Sequence, residues 1–128
     1  KYLNNDANRG HFAHIPPVFG KFEVLKDFKR WRFRCLCLFS GSKEKTEFDN
    51  ADIDNLSETP VIGETETGFE YAGLPSWYTL NFSTQYSFSE SVMLQFSVDN
   101  ILNTHYKTFG SGISAPGRSF IATINYDF

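Results

Sequence analysis

Residues 118–128 read Arg-Ser-Phe-Ile-Ala-Thr-Ile-Asn-Tyr-Asp-Phe. Phe120, Ala122, Ile124, Tyr126 and Phe128 fall on one side of a period-two pattern. Ser119, Thr123, Asn125 and Asp127 fall on the other, with Ile121 the exception. Such alternation is the mark of a β-strand with one apolar face. A strand that runs out on an aromatic is unlike a soluble domain, whose last residues are usually polar and loosely held.

The same period recurs upstream. In residues 92–102, Val92, Leu94, Phe96 and Val98 alternate with Met93, Gln95, Ser97 and Asp99. In residues 76–88, Tyr78, Leu80, Phe82, Tyr86 and Phe88 share a face that Thr84 interrupts, and Asn81, Ser83, Gln85 and Ser87 share the other. In residues 30–40, Trp31, Phe33, Cys35, Cys37 and Phe39 oppose Arg30, Arg32 and Arg34, followed by Leu36 and Leu38. A weaker strand spans residues 18–26, its start fixed by Pro16 and Pro17, which cannot donate to a ladder. The expected fold class is therefore all-β, with about five antiparallel up-and-down strands.

Short and long connections alternate. Residues 27–29 and 89–91 are expected as tight turns. Residues 41–75 and 103–117 form long loops; the first carries nine of the fifteen acidic residues, the second Gly110, Gly112, Pro116 and Gly117. Loops of more than ~12–15 residues are uncommon in compact domains and usually functional. Phe48, Ile53, Leu56, Val61, Ile62, Phe69 and Tyr71 interrupt the acidic loop, which argues for partial order.

Composition narrows the classes. The chain has 128 residues, a net charge of −3 and 17% aromatics. An acidic balance disfavours nucleic acid as a partner. No run approaches the ~18 apolar residues of a membrane-spanning helix. Cys35 and Cys37 are the only cysteines, which excludes a disulfide scaffold. No nucleophile elbow, zinc-protease helix or phosphate loop is present, so the chain does not read as an enzyme, and no cofactor or metal is expected. Asp49, Asp52 and Asp54 lack the glycine and distal Glu of a calcium loop.

Alternation fits two arrangements. In a soluble sandwich or barrel the apolar face is inside. In a transmembrane barrel it faces lipid, and the polar face lines a wet lumen. Strands of about 10 to 13 residues suit the ~9–11 needed to cross a bilayer and exceed the usual soluble length of ~5–6. Tight turns opposite long loops, and aromatics near strand ends, point the same way. Trp77 and Tyr78 would mark one rim; Tyr86, Phe88, Tyr126 and Phe128 would mark the other. Trp31, Tyr78, Leu80, Phe82, Val92, Leu94, Phe96 and Ile124 are expected to face lipid. The competing reading is a small soluble β-sandwich binding a carbohydrate or other ligand through Trp77, Tyr78 and Tyr106.

The segment from Leu94 to Phe128 resembles the closing part of a TonB-dependent outer-membrane receptor, in wording closest to receptors of Bacteroidetes. The matching pieces are Asp99-Asn100-Ile101-Leu102-Asn103 with Tyr106, the stretch from Ser111 to Pro116-Gly117-Arg118, and the final strand. Ile15-Pro16-Pro17 with Phe19-Gly20, Phe39-Ser40-Gly41, and Gly73-Leu74-Pro75-Ser76-Trp77-Tyr78 are similar to the family's preceding strands. The resemblance is weakest in the first ten residues and in 42–70. It implies a 22-stranded, plugged barrel importing a siderophore, cobalamin or glycan, energised through TonB. About five strands cannot close a barrel, since ~8 is the smallest that fills with side chains. Residues 1–128 are thus expected as the C-terminal part of such a barrel, in the outer membrane of a Gram-negative bacterium. TonB would act only through an N-terminal part that this sequence does not contain.

Candidate site residues follow. His105 and Tyr106 could touch a small-molecule or glycan ligand, with His11 and His14 weaker. Arg30, Arg32 and Arg34 form a basic row that could line the lumen and meet an anionic ligand, or pair with neighbouring acids. The resemblance further implies that Phe120, Ala122, Ile124, Tyr126 and Phe128 form the signal read by the outer-membrane assembly machinery.

Overall fold

The computed structural model describes residues 14–48 and 55–128. Nine strands are formed among them: β1 (Phe19–Phe28), β2 (Trp31–Ser40), β3 (Lys43–Glu44), β4 (Val61–Thr65), β5 (Gly68–Tyr71), β6 (Gly73–Leu74), β7 (Trp77–Ser87), β8 (Val92–Asp99) and β9 (Ser119–Tyr126). Five make one antiparallel sheet in the order β1-β2-β7-β8-β9, with both edges open. These are the five strands expected from period two, within one to three residues at most ends. The other four form two small hairpin-like sheets, β3 with β6 and β4 with β5, inside the long β2–β7 connection.

The register lines up like with like. Directly opposed residues in an antiparallel pair point to the same side of the sheet. One row runs Phe28, Trp31, Tyr86, Leu94, Ile124; another runs Val24, Cys35, Phe82, Val98, Phe120. The opposite side carries the row Asp27, Arg32, Gln85, Gln95, Thr123. The apolar sets therefore merge into one continuous face, and the opposite side is mostly polar, with Leu25, Leu36, Leu38 and Ile121 among its residues.

Local chemistry sets the ends. Phe28 pairs with Trp31, so β1 and β2 join through Lys29 and Arg30 alone. The expected 27–29 turn is corrected by this: Asp27 and Phe28 continue the ladder, and Lys29 takes the left-handed turn conformation at φ 55°. The second tight turn closes where the Phe88 N–H donates to the Val92 carbonyl at 2.9 Å. β8 stops at Asp99, short of the expected residue 102, because Asn100 turns left-handed at φ 49°. Asn tolerates that conformation better than the β-branched residues around it. β9 likewise stops at Tyr126, so Phe128 lies beyond the strand.

The buried residues are not in the middle of the large sheet's apolar face. Among the described residues the one buried hydrophobic side chain is Phe48, in the β2–β7 connection, and the most buried side chain is Thr79, on the polar face of β7. The connection is folded: β3 and β6 pair through Lys43–Leu74 and Glu44–Gly73. Gly73 is required there, since its φ is +84° and a Cβ would sit 2.3 Å from the Lys43 carbonyl oxygen.

Candidate functional site

The large sheet has an apolar face that no other described residue covers. Phe22, Val24, Phe28, Trp31, Phe39, Tyr78, Leu80, Leu94, Phe96, Phe120, Ile124 and Tyr126 all belong to it, and all are exposed. Five strands at ~4.8 Å spacing and about nine residues at ~3.3 Å rise give a face of roughly 700 Å². The largest apolar patch on a soluble monomer is usually about 300–600 Å². A two-layer domain would place a second sheet or helices against such a face, and the described residues place none there.

Aromatic rings concentrate at the end of the sheet that carries the tight turns. Trp31 stacks on Phe33 with centroids 5.8 Å apart and lies 4.6 Å from Tyr86. Tyr86 meets Phe88 edge-on at 6.5 Å, and Tyr126 meets Phe128 edge-on at 5.0 Å. Phe39, Tyr78 and Phe120 sit on the same face toward the loop end. Trp77 does not join that second group. It opposes Ser40 on the polar side, and its ring packs on Tyr106 at 4.0 Å.

The polar face is internally paired. Arg32 donates to both carboxylate oxygens of Asp27, at 2.8 and 3.2 Å. Arg34 donates to Glu23, and the Gln85 amide donates to Gln95 at 3.1 Å. Arg30 is not part of this row: it lies in the β1–β2 turn, where its Nη1 donates to the Phe88 carbonyl at 2.9 Å and ties the two tight turns together. The three arginines thus occupy two environments, and the two on the strand are engaged by carboxylates of β1.

The loop end is organised by one asparagine. Asn100 is buried, and its Nδ2 donates to the carbonyls of Thr104 and Pro116 at 2.9 and 3.1 Å. Its Oδ1 accepts from the Thr104 N–H, and its own N–H donates to the Asn81 Oδ1, both at 2.9 Å. Asn103 adds a second clasp, its Oδ1 accepting from the Arg118 N–H at 2.9 Å. In the sequence the Asp-Asn-Ile-Leu-Asn stretch stands out only through its family resemblance. A run that ends a strand with two asparagines and precedes a Pro-Gly is a turn signal with this same chemistry.

The two long loops also touch each other. Lys43 is buried, with its ammonium 4.6 Å from the Phe48 ring, 4.5 Å from the Phe109 ring, and donating to the Ile15 carbonyl at 3.0 Å. Lys107 donates to the Glu58 carbonyl at 3.0 Å. Of the residues named for ligand contact, Tyr106 is packed on Trp77, and His105 is exposed beside it. His14 is exposed, with His11 outside the described residues. Arg30, Arg32 and Arg34 lie at the turn end and share no cluster with His105 or Tyr106. Asp49, Asp52 and Asp54 fall outside the described residues, and among the described ones no group of three His, Cys, Asp or Glu converges as metal ligands.

Neither protein-family models nor curated proteins match the chain. Among solved structures it is similar to a chain described as "Copper transporter OprC", with a TM-score of 0.64 over 91% of this chain and 17% sequence identity. The match covers 17% of that chain, so this sequence spans a small part of the length of the protein it resembles. At that identity the likeness concerns the fold: five antiparallel strands connected up and down.

Proposed function

We propose that the chain is a membrane-spanning section of an outer-membrane transporter barrel, of the TonB-dependent receptor class that its sequence resembles. One observation carries the reading: an apolar face five strands wide, uncovered by any other described residue, with hydrogen-bonded and ion-paired side chains on the opposite face. In lipid the apolar face is solvated by acyl chains and the aromatic ends sit at the headgroup level. The open edges of β1 and β9 require partner strands, because unpaired backbone groups are not tolerated in hydrocarbon. Closure by further strands of the same barrel supplies them. The fold likeness to a chain described as a transporter supports this reading. The polar face then lines the lumen, and the joined loops around Lys43, Phe48, Phe109, Trp77 and Tyr106 stand at its outer mouth, facing an incoming siderophore, cobalamin or glycan. Phe120, Ala122, Ile124 and Tyr126 share the apolar face of an edge strand, as an assembly signal added by β-augmentation requires.

The test is the behaviour of the full chain in water and in a membrane mimic. It should require detergent or lipid to remain dispersed, and gain strand content on transfer to it. A monomer that stays in solution without detergent and unfolds cooperatively would overturn the proposal in favour of a soluble ligand-binding module.

A further inference from the structure

The apolar face has one cation on it. Lys26 opposes Phe33 and shares the side of Val24 and Phe28, among residues that otherwise avoid charge. Lys29, in the adjoining turn, reaches back to the same side: its ammonium lies 5.4 Å from the centroid of the Phe28 ring, which belongs to that face. Among the described residues neither lysine has an acidic partner. The nearest carboxylate in sequence, Asp27, points to the opposite face and is taken by Arg32. The β1–β2 turn is held in place because Arg30 is bonded to the Phe88 carbonyl and the Ser87 N–H donates to the Arg30 carbonyl.

We propose that Lys26 and Lys29, set against the rings of Phe28, Trp31 and Phe33, form a seat for the phosphate of an anionic phospholipid headgroup. The proposal rests on the membrane reading above and adds a partner to it.

Depth decides whether Lys26 can serve. It lies two residues inside Phe28, about 7 Å along the strand. At a barrel tilt of ~40° that is about 5 Å below the rim. A lysine stem can span this along apolar surface and present its ammonium at the headgroup level. A charged group in that position with no counter-ion among the described residues draws one from the medium. A lipid phosphate at the rim supplies it, and two ammoniums against an aromatic shelf suit a monoanionic group with attached acyl chains. The chains would lie along the Val24, Cys35 and Phe82 row just beyond. Water-solvated lysines of the polar face, such as Lys21 opposite Leu38, meet no such shelf.

The experiment measures partition of the full chain into phosphatidylcholine vesicles, and into the same vesicles with added phosphatidylglycerol, at low ionic strength. Wild type should gain roughly fivefold in partition per seated lysine on adding the anionic lipid. The double variant Lys26→Gln/Lys29→Gln should lose most of that gain, while its partition and circular dichroism in phosphatidylcholine alone match wild type. Lys21→Gln, of equal charge change to either single variant, should keep the gain. The proposal is overturned if wild type shows no gain, if the double variant retains it, or if Lys21→Gln loses as much as Lys26→Gln. Failure to bind either vesicle would instead bring down the membrane reading beneath it.

Discussion

Placing an arginine at position 96 separates a lipid-facing sheet from a water-facing one. Phe96 is 44% exposed, with Thr84 and Ala122 directly opposite on its two sides. It lies four residues from Val92, so about 13 Å along β8 from the turn end. At a tilt of ~40° this is about 10 Å of depth in an apolar band ~25 Å tall, close to the midplane. An arginine at that depth should cost about 2–4 kcal/mol in a barrel of this kind. The adjacent position gives the comparison. Gln95 points to the polar face, and Gln95→Arg forfeits the 3.1 Å bond from Gln85, a loss of about 1 kcal/mol. Were the apolar face open to water, an arginine at so exposed a site would change stability by no more than about 0.5 kcal/mol. The lipid-facing arrangement thus predicts Phe96→Arg to be the costlier by about 1–3 kcal/mol, and the water-facing one predicts it to be the milder. Denaturant titration of both variants in detergent micelles, with stabilities from linear extrapolation, reads the difference. Equal costs, or a larger cost at Gln95, would refute the assignment of the faces.

Cys35 and Cys37 belong to the apolar face, so in vesicles both should resist a water-soluble maleimide and react with it once the chain is unfolded in urea. Rapid labelling of Cys35 in vesicles would contradict the facing. Asn100→Ala removes three side-chain hydrogen bonds from a buried site and leaves a left-handed alanine, and should cost about 3–5 kcal/mol locally. Limited proteolysis should then cut within residues 103–117 at protease levels that spare wild type. If the chain closes a receptor barrel as proposed above, deleting Phe128 from that receptor should reduce membrane insertion while synthesis continues, and Phe88→Ala should not. Normal insertion without Phe128 would end its role in assembly.

The sheet is readable in the sequence because β7, β8 and β9 keep one apolar and one largely polar face over eight to eleven residues, while β1 and β2 keep the period less cleanly, with Phe19, Leu25, Leu36 and Leu38 on the side of the arginines. A period of two survives even where one residue dissents, as Thr84 and Ile121 do. Turn positions were less legible. Asp27-Phe28-Lys29-Arg30 contains no glycine or proline to mark the bend, and the left-handed residue proved to be Lys29. The small sheets in the β2–β7 connection were hidden for a different reason. Two- to five-residue strands are too short to show a period, and the β3–β6 pair joins segments nearly thirty residues apart. The buried state of Lys43 could not be foreseen, since two aromatics from different loops, Phe48 and Phe109, create it. The arginine row was visible as a row, but only three dimensions show that Arg30 leaves it and that Glu23 and Asp27 occupy the other two.

The two ends of the sheet are built by different means, and the difference bears on what each can do. At the turn end the connections are a few residues long and the rim is made of rings, with Arg30 locking one turn to the next. At the loop end the chain leaves the sheet and returns, and its order combines the polar contacts of Asn100, Asn103 and Lys107 with the packing of Lys43 on Phe48 and Phe109 and of Trp77 on Tyr106. Loops generally open at lower free energy than the strands that carry them. In the transporter role proposed above, a surface that admits and releases a solute belongs at that end, while the turn end suits a fixed position against headgroups. The asymmetry written in the loop lengths is therefore an asymmetry in how the two ends are held, with the polar face of the sheet running between them.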